Sequence, residues 1–328
     1  MRLGRWSTVG SGFDLPRLPC LSENTYVNSI CRHLLLGIAL LWTHSHSSAA
    51  IINGLDPTYH DRFLSDGTPN PSFLVDETQL SGVALQPAVL ITPRHYVTAA
   101  HVGTTEVTFR GTDGTERTYQ SISSQKLLTS VPGQPAVGSD IQLHTLSSDV
   151  DPSIVPVPIV VGELAALLGK TFFAFDAQGR AGRNVIDGLQ IVQFDTGGSD
   201  TVTIQFSYDT DTNGGTGGLG RDEIGLLSGD SGNAALIEID GQIGLIGTHM
   251  GIDVPEGSNA GAGDRYDNFS TLVGAYEDQL SSLVSAQGYS LSTLSITAVP
   301  EPATVGFLLA VGATVSLGRR RRRLRNGR

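Results

Sequence analysis

The stretch Ser228-Gly229-Asp230-Ser231-Gly232-Asn233 surrounds one serine with small residues. Gly229 and Gly232 carry no side chain, so they leave the hydroxyl of Ser231 and nearby backbone N–H groups open to a substrate. A serine hydroxyl is a weak nucleophile and needs a base, for which a histidine held by a carboxylate is well suited. The stretch therefore predicts a nucleophile loop and directs attention to upstream histidines and acids.

Two upstream stretches supply these residue types. Thr98-Ala99-Ala100-His101 ends an apolar run, and Asp140-Ile141-Gln142-Leu143 puts a carboxylate at the start of a strand-like segment. His101 precedes Asp140 by 39 residues, and Asp140 precedes Ser231 by 91. In order and spacing the three motifs resemble those of the trypsin-like serine peptidases, which have the chymotrypsin fold. One glycine-rich match would be weak evidence, whereas three ordered motifs are strong.

The resemblance implies a role for each residue and requires no cofactor or metal. His101 would act as base and then acid, Asp140 would hold its other ring nitrogen, and Ser231 would form an acyl-enzyme with a protein or peptide substrate. The backbone N–H groups of Gly229 and Ser231 would form the oxyanion hole.

One departure from the family concerns Asn233-Ala234, which stand where Gly-Pro is usual. Because of this departure, an alternative stays open: the protein could be a catalytically silent relative that acts as an envelope or matrix binding protein. A structural all-β protein with accidental motifs is a second alternative, in which His101, Asp140 and Ser231 would lie far apart.

The same resemblance bears on specificity. Gly225 takes the place where trypsins carry the aspartate that binds Arg or Lys, so a non-basic primary specificity is expected. Gly247-Thr248-His249-Met250-Gly251 resembles the stretch of the glutamyl endopeptidases whose histidine binds the substrate carboxylate. His249 would then select Glu or Asp, and the alternative is a histidine at a strand end.

Residues 1–50 are typical of a secretory leader. The apolar run Leu34–Trp42 precedes Ser48-Ala49-Ala50, where a signal peptidase could cut. Cutting after Ala50 would make Ile51 the N-terminus, which resembles the start of activated family members. There the new α-ammonium pairs with the carboxylate before the nucleophile, here Asp230. Burial of a carboxylate requires a partner, but an arginine or backbone donors would also satisfy Asp230.

Residues 299–328 resemble a PEP-CTERM sorting signal. Val299-Pro300-Glu301-Pro302 is followed by the mostly apolar run Ala303–Gly318 and an arginine cluster that begins at Arg319. The resemblance implies transient anchoring by this helix in the inner membrane of a Gram-negative bacterium. An exosortase-type enzyme would remove the tail and release the protein to the envelope or extracellular matrix. The arginines would stay cytoplasmic.

Composition narrows the possible partners of residues 51–298. This part has 10 lysine and arginine residues against 29 aspartate and glutamate residues, a formal charge of −19. The charge argues against nucleic acid and anionic membrane surfaces as partners. Both cysteines, Cys20 and Cys31, lie in the leader, so the secreted part needs a core large enough to be stable without a disulfide.

Short alternating or β-branched segments predict an all-β domain over residues 51–286. Hairpins are expected over residues 81–92 and 106–121, and one helical turn over 163–168. Further strands are expected over residues 141–146, 155–161, 171–175, 190–194, 201–206, 234–239 and 242–248. The resemblance implies two six-stranded antiparallel barrels with the active site between them.

The C-terminal part of the domain shows a different pattern. Residues Ser270–Ser285 have the spacing of a helix, like the closing helix of the family. Residues 287–298 are rich in serine and threonine and are predicted to be a tether. Asn268-Phe269-Ser270 are taken as surface residues.

A possible calcium loop follows the predicted strand 201–206. Asp209, Asp211 and Asn213 provide oxygen ligands, but the bidentate glutamate expected at the twelfth position of such a loop is absent. Asp222 or Glu223 could substitute. A solvated acidic loop is favoured, and no metal site is predicted.

Overall fold

A computed structural model describes residues 50–131, 133–194, 199–210, 218–258, 260–261 and 263–297. Within them the chain is mostly β, with two curled antiparallel sheets and one C-terminal helix, so the predicted all-β class is confirmed. Residues 1–49 of the predicted leader and the sorting signal 299–328 lie outside the described residues. Over the described ranges, no helix is long and apolar enough to cross a membrane.

The described residues form sixteen strands and two α-helices. The strands are β1 (Ile51–Ile52), β2 (Val89–Thr92), β3 (His95–Thr98), β4 (Glu106–Arg110), β5 (Glu116–Thr129), β6 (Val137–Leu146), β7 (Ile159–Gly162), β8 (Thr171–Phe175), β9 (Ala181–Val185), β10 (Gly188–Phe194), β11 (Ser199–Tyr208), β12 (Ile224–Gly225), β13 (Ala234–Ile239), β14 (Gln242–Asp253), β15 (Tyr266–Leu272) and β16 (Thr293–Ile296). The helices are α1 (Pro57–His60) and α2 (Glu277–Ser285), and short 3₁₀ helices cover Glu77–Gln79, Leu164–Leu167, Gly220–Asp222 and Val273–Tyr276.

The strands form two main sheets. The first has the spatial order β2-β3-β6-β5-β4. The second has nine strands, of which seven follow the order β10-β11-β15-β14-β13-β8-β9. Strand β7 joins this sheet through parallel pairing with β14 and β16, and β1 pairs with β12 in a separate two-stranded sheet.

Buried apolar side chains form three clusters, one of which connects the two sheets. One cluster belongs to the first sheet and includes Leu90, Tyr96, Val107, Phe109 and Leu146. Another belongs to the second sheet and includes Phe172, Ile204, Phe206 and Ile246. The third joins residues of both sheets with helix α2, including Val89, Ile91, Val97, Leu236, Leu245 and Leu280. Neighbours along β2 face different clusters because side chains alternate along a strand, so each sheet packs on two sides.

Several strand predictions are confirmed and two are corrected. The hairpin over residues 106–121 is β4–β5, and the strands over 171–175 and 234–239 are β8 and β13. The hairpin over 81–92 forms only as a short antiparallel bridge between Val83 and Val89, because the main partner of β2 is β3, across the turn at Pro93. The predicted strand 155–161 begins only at Ile159, after two prolines that cannot donate to a ladder.

The C-terminal predictions also need correction. Helix α2 begins at Glu277, because residues 270–272 belong to β15 and a 3₁₀ helix follows them. Asn268, Phe269 and Ser270, which the sequence predicts to be surface residues, are all buried in β15. The predicted tether over 287–298 contains β16, which pairs with β7 and buries Ile296. The folded part of the chain therefore extends at least to Ile296.

We expect Ile296→Ala to lower the free energy of unfolding by about 2 kcal/mol, because it removes buried apolar volume. The exposed neighbour Ser295 provides the control, and Ser295→Ala should stay within about 0.5 kcal/mol of the parent. Urea unfolding measures both. Equal stability of the two variants would mean that residues 287–298 act as a tether after all.

Candidate active site

His101 and Asp140 form a directly bonded pair. His101 follows β3 in a turn, and Asp140 lies on β6, the antiparallel neighbour of β3. Nδ1 of His101 lies 2.8 Å from Oδ2 of Asp140, and the backbone N–H of His101 donates to Oδ1 at 3.0 Å. Since a carboxylate only accepts, Nδ1 carries the proton and Nε2 is left as the basic nitrogen.

The second sheet holds the backbone of Asp140. Its N–H donates to Oγ1 of Thr201 on β11 at 2.8 Å, and its carbonyl accepts from Oγ1 of Thr271 on β15 at 3.1 Å. Both threonines are fully buried, and the Asp140 side chain is only 7% exposed. The His101 side chain is 34% exposed, so the pair has one buried member and one that opens to solvent.

The turn around Ser231 connects β12 to β13 and has a tightly constrained backbone. Gly229 and Gly232 have φ values of 107° and 83°, which favour glycine. A Cβ on Gly232 would lie 2.5 Å from Oγ1 of Thr98 and 3.1 Å from the carbonyl oxygen of Pro87. Thr98 is three residues before His101, so the turn packs directly against the end of β3.

His101 and Ser231 line one cavity of about 250 Å³. The rest of its wall comes from the segments 226–230 and 249–252, including Leu226, Leu227, Ser228, Asp230, His249, Met250, Gly251 and Ile252. Among the described residues, the backbone N–H groups of Gly229 and Ser231 donate to no other residue. These two donors are therefore available to an oxyanion formed at Ser231.

The two residues predicted for the specificity pocket differ in position. His249 belongs to the cavity wall, but it is only 1% exposed and its Nδ1 lies 2.8 Å from Oγ of Ser270. Burial lowers the pKa of His249 to about 3, so its ring is neutral at pH 7. Gly225 is not part of the wall of this cavity. A Cβ there would meet Tyr266 and Tyr208, which fill the space above it.

Asp230 is buried and is bound by backbone donors rather than by an arginine. Its carboxylate accepts from the N–H of Ala177 at 3.0 Å and of Leu227 at 2.7 Å, and the backbone N–H of Ala50 also favours its ionised form. Burial raises its pKa to about 6. Ile51 instead pairs with Gly225 in the β1–β12 sheet. In the unprocessed chain the backbone N–H near the carboxylate is therefore that of Ala50, and pairing of a processed Ile51 terminus with Asp230 stays a prediction.

Three residues that support this site were missed as functional candidates. Tyr266 donates to the carbonyl of Leu226 at 3.0 Å, and Asn268 accepts from the N–H of the same residue at 2.8 Å. Asn233 donates from Nδ2 to the carbonyl of Asp230 at 3.0 Å. Only the departure at Asn233 was visible in the sequence, since the other two contacts join residues about 40 positions apart.

The possible calcium loop is described only in part. Asp211 and Asn213 lie outside the described residues. Glu223, considered as a substitute ligand, accepts from the N–H groups of Asp209 at 2.6 Å and Leu219 at 2.8 Å. Glu223 is thus buried at the base of the loop, and the calcium question stays a prediction. Over the described ranges, no cluster of three acids, histidines or cysteines could hold a metal ion.

The arrangement has the parts needed for acyl transfer: a serine, a histidine base, a carboxylate that orients it, and two free backbone donors. Comparison with known proteins adds no support or conflict. The chain matches none of the protein-family models, and a search of curated proteins also found no match. Function is therefore inferred from the sequence motifs and this geometry.

We expect a chain that begins at Ala50 to be more stable at pH 7 than one that begins at Ile51, by about 2 kcal/mol. The ammonium of Ala50 would pair with Asp230, whereas the Ile51 chain leaves this buried carboxylate without that donor. Because the raised pKa of Asp230 favours its protonated form in the folded state, ionising it costs stability as pH rises from about 4 to about 6. The ammonium should remove that loss.

Chemical denaturation at pH 4 and pH 7 measures this difference. Asp230→Asn in both chains is the control, and it should narrow the stability gap to what the buried Ala50 residue and its carbonyl bond to Arg180 contribute. A gap of unchanged size with asparagine, or a more stable Ile51 chain, would contradict the pairing of Ala50 with Asp230.

Proposed function

We propose that the protein is a secreted serine endopeptidase that hydrolyses peptide bonds through an acyl-enzyme on Ser231. The observation that carries this proposal is that His101, which is hydrogen-bonded to Asp140, lines one cavity together with Ser231. The three residues come from three separate segments of the chain, and accidental motifs would not be expected to converge.

In the proposed reaction, Oγ of Ser231 attacks the substrate carbonyl carbon while Nε2 of His101 takes the hydroxyl proton. Asp140 stabilises the imidazolium that forms. The N–H groups of Gly229 and Ser231 bind the negative oxygen of the tetrahedral intermediate. His101 then gives its proton to the leaving amine as the C–N bond breaks. A water molecule then attacks the acyl carbon while His101 takes its proton. The bond between that carbon and Oγ of Ser231 breaks, the acid leaves, and His101 returns the proton to Oγ.

The two curled sheets support the finer prediction of two chymotrypsin-type barrels. Each sheet has its own apolar cluster, and the third cluster lies between them, as two packed barrels require. Asp140 and His101 come from the first sheet, whereas Ser231 belongs to the second half of the chain. Six strands in each barrel stays a prediction, because the sheets contain five and nine strands.

The cavity favours a non-basic residue on the acyl side of the cleaved bond. Its wall is rich in apolar side chains: Leu226, Leu227, Met250 and Ile252. Its one carboxylate, Asp230, is engaged by backbone N–H groups and does not offer a site for Lys or Arg. Selection of Glu or Asp by His249 is the finer proposal. It requires the buried neutral ring to donate a hydrogen bond to the substrate carboxyl.

Secretion and sorting belong to the same proposal. The leader would be removed by a signal peptidase and the C-terminal signal by an exosortase-type enzyme, with the product in the envelope or extracellular matrix. Pairing of Asp230 with the N–H of Ala50 supports a cut between Ala49 and Ala50 rather than after Ala50. Ser47 and Ala49 would then be the small residues before the cut.

Hydrolysis of peptides that differ only at the residue before the cleaved bond tests the proposal. We expect cleavage after Leu or Glu to exceed cleavage after Lys at least tenfold. Ser231→Ala should abolish acyl-enzyme chemistry, and Asp140→Asn should lower kcat about 10⁴-fold, because it disturbs the tautomer and orientation of His101.

Ser139→Ala is a control next to Asp140. Among the described residues, the Ser139 hydroxyl bonds only the carbonyl of Leu127, so its loss should leave kcat nearly unchanged. A folded protein that begins at Ala50 and cleaves nothing would favour the silent binding protein. A preference for Lys would contradict the proposal that this cavity binds a non-basic residue. It would not affect the proposed roles of His101, Asp140 and Ser231.

A further inference from the structure

Asn233 makes an unusual double contact beside the nucleophile. Two residues after Ser231, it is 8% exposed, and its Nδ2 donates to the carbonyl oxygen of Asp230 at 3.0 Å. Its own backbone N–H donates to the same oxygen at 3.2 Å. The carbonyl of Asp230 is therefore held by both the side chain and the main chain of one residue.

This carbonyl belongs to the same peptide unit as the N–H of Ser231. A trans peptide is planar, and its C=O and N–H point in opposite directions. Holding the Asp230 oxygen on the Asn233 side therefore directs the Ser231 N–H away from Asn233. Hydrogen bonds to the carbonyl also polarise the peptide, which strengthens its N–H as a donor.

The other contacts of the turn hold different atoms. The carboxylate of Asp230 is bound by the N–H groups of Ala177 and Leu227, and the N–H of Gly232 donates to the carbonyl of His249 at 2.7 Å. Among the described residues, no side chain other than that of Asn233 bonds the Asp230 carbonyl. The amide of Asn233 thus has a distinct role in the turn.

We propose that Asn233 is a positioning residue for the oxyanion hole, setting the direction of the Ser231 N–H. The inference rests on the proposed acyl transfer at Ser231. On this proposal, the asparagine that replaces glycine in the Gly-Pro pair supports catalysis and is not a sign of a catalytically silent relative. The side chain lies on the carbonyl side of the peptide and supports the donor that faces the substrate.

The test uses the full-length chain, expressed with its leader. The probe is p-nitrophenyl acetate. The rate constant for acylation of Ser231 is obtained from the burst of p-nitrophenolate, together with the probe concentration at half-saturation. Asn233→Leu keeps the buried volume but removes the donor, and we expect it to lower the acylation rate constant about 3- to 10-fold. The probe concentration at half-saturation should not change, because the negative oxygen that the Ser231 N–H binds forms only in the transition state.

Asn233→Asp is the second variant, nearly isosteric with asparagine. It places a carboxylate oxygen against the Asp230 carbonyl, and we expect a loss at least as large as in Asn233→Leu. If Asn233→Leu does not fold, this variant carries the test alone.

The matched control is Asn70→Leu. Asn70 is also buried, and its Nδ2 donates to the carbonyls of Thr58 and Asp61 at 2.9 and 2.8 Å rather than to the nucleophile turn. It should lower the melting temperature while leaving the acylation rate constant of folded protein unchanged. This comparison separates positioning of the Ser231 N–H from loss of stability.

Acylation of folded Asn233→Leu and Asn233→Asp at the parent rate would overturn the proposal, as would a change in half-saturation alone. Failure of the proposed function has a different signature. In that case the parent itself would show no burst beyond that of Ser231→Ala.

Discussion

The buried carboxylate of Asp140 is the interaction on which the arrangement depends. Its side chain binds the ring and backbone of His101, while its main chain is held by Thr201 and Thr271 of the other sheet. A buried carboxylate is costly unless its acceptors are satisfied, so both sheets must stay in place for the pair to form. The cleft geometry is thus coupled to the packing of the apolar cluster that joins the sheets.

A second buried carboxylate links the chain start to the nucleophile turn. Asp230 has no cationic side-chain partner among the described residues, and burial raises its pKa to about 6. The carbonyl of Ala50, one of its neighbours, is held in turn by Arg180. An ammonium at Ala50 would neutralise Asp230 and stabilise the turn on which Ser231 lies. Leader removal would then affect both stability and the shape of the cavity.

The sequence predicts the parts of this site that recur as local motifs. Spacing and flanking small residues singled out His101, Asp140 and Ser231, and alternation predicted strands such as β8 and β13. It does not reveal partners distant along the chain. Asn268 looked like a surface residue because nothing local shows that it binds the N–H of Leu226. Strand β16 looked like a tether because its pairing with β7 requires residues more than 130 positions earlier. Nothing local shows that the backbone N–H of Ala50 lies near Asp230, because the two residues are far apart in the sequence.

A crystal structure of the protein treated with a fluorophosphonate tests the central claim most directly. We expect phosphorus to be bonded to Oγ of Ser231, with the phosphoryl oxygen about 2.7–3.1 Å from the backbone nitrogens of Gly229 and Ser231. His101 should remain bonded to Asp140. An unmodified Ser231, in a folded protein that begins at Ala50, would contradict the account, as would an adduct whose oxygen points away from both donors.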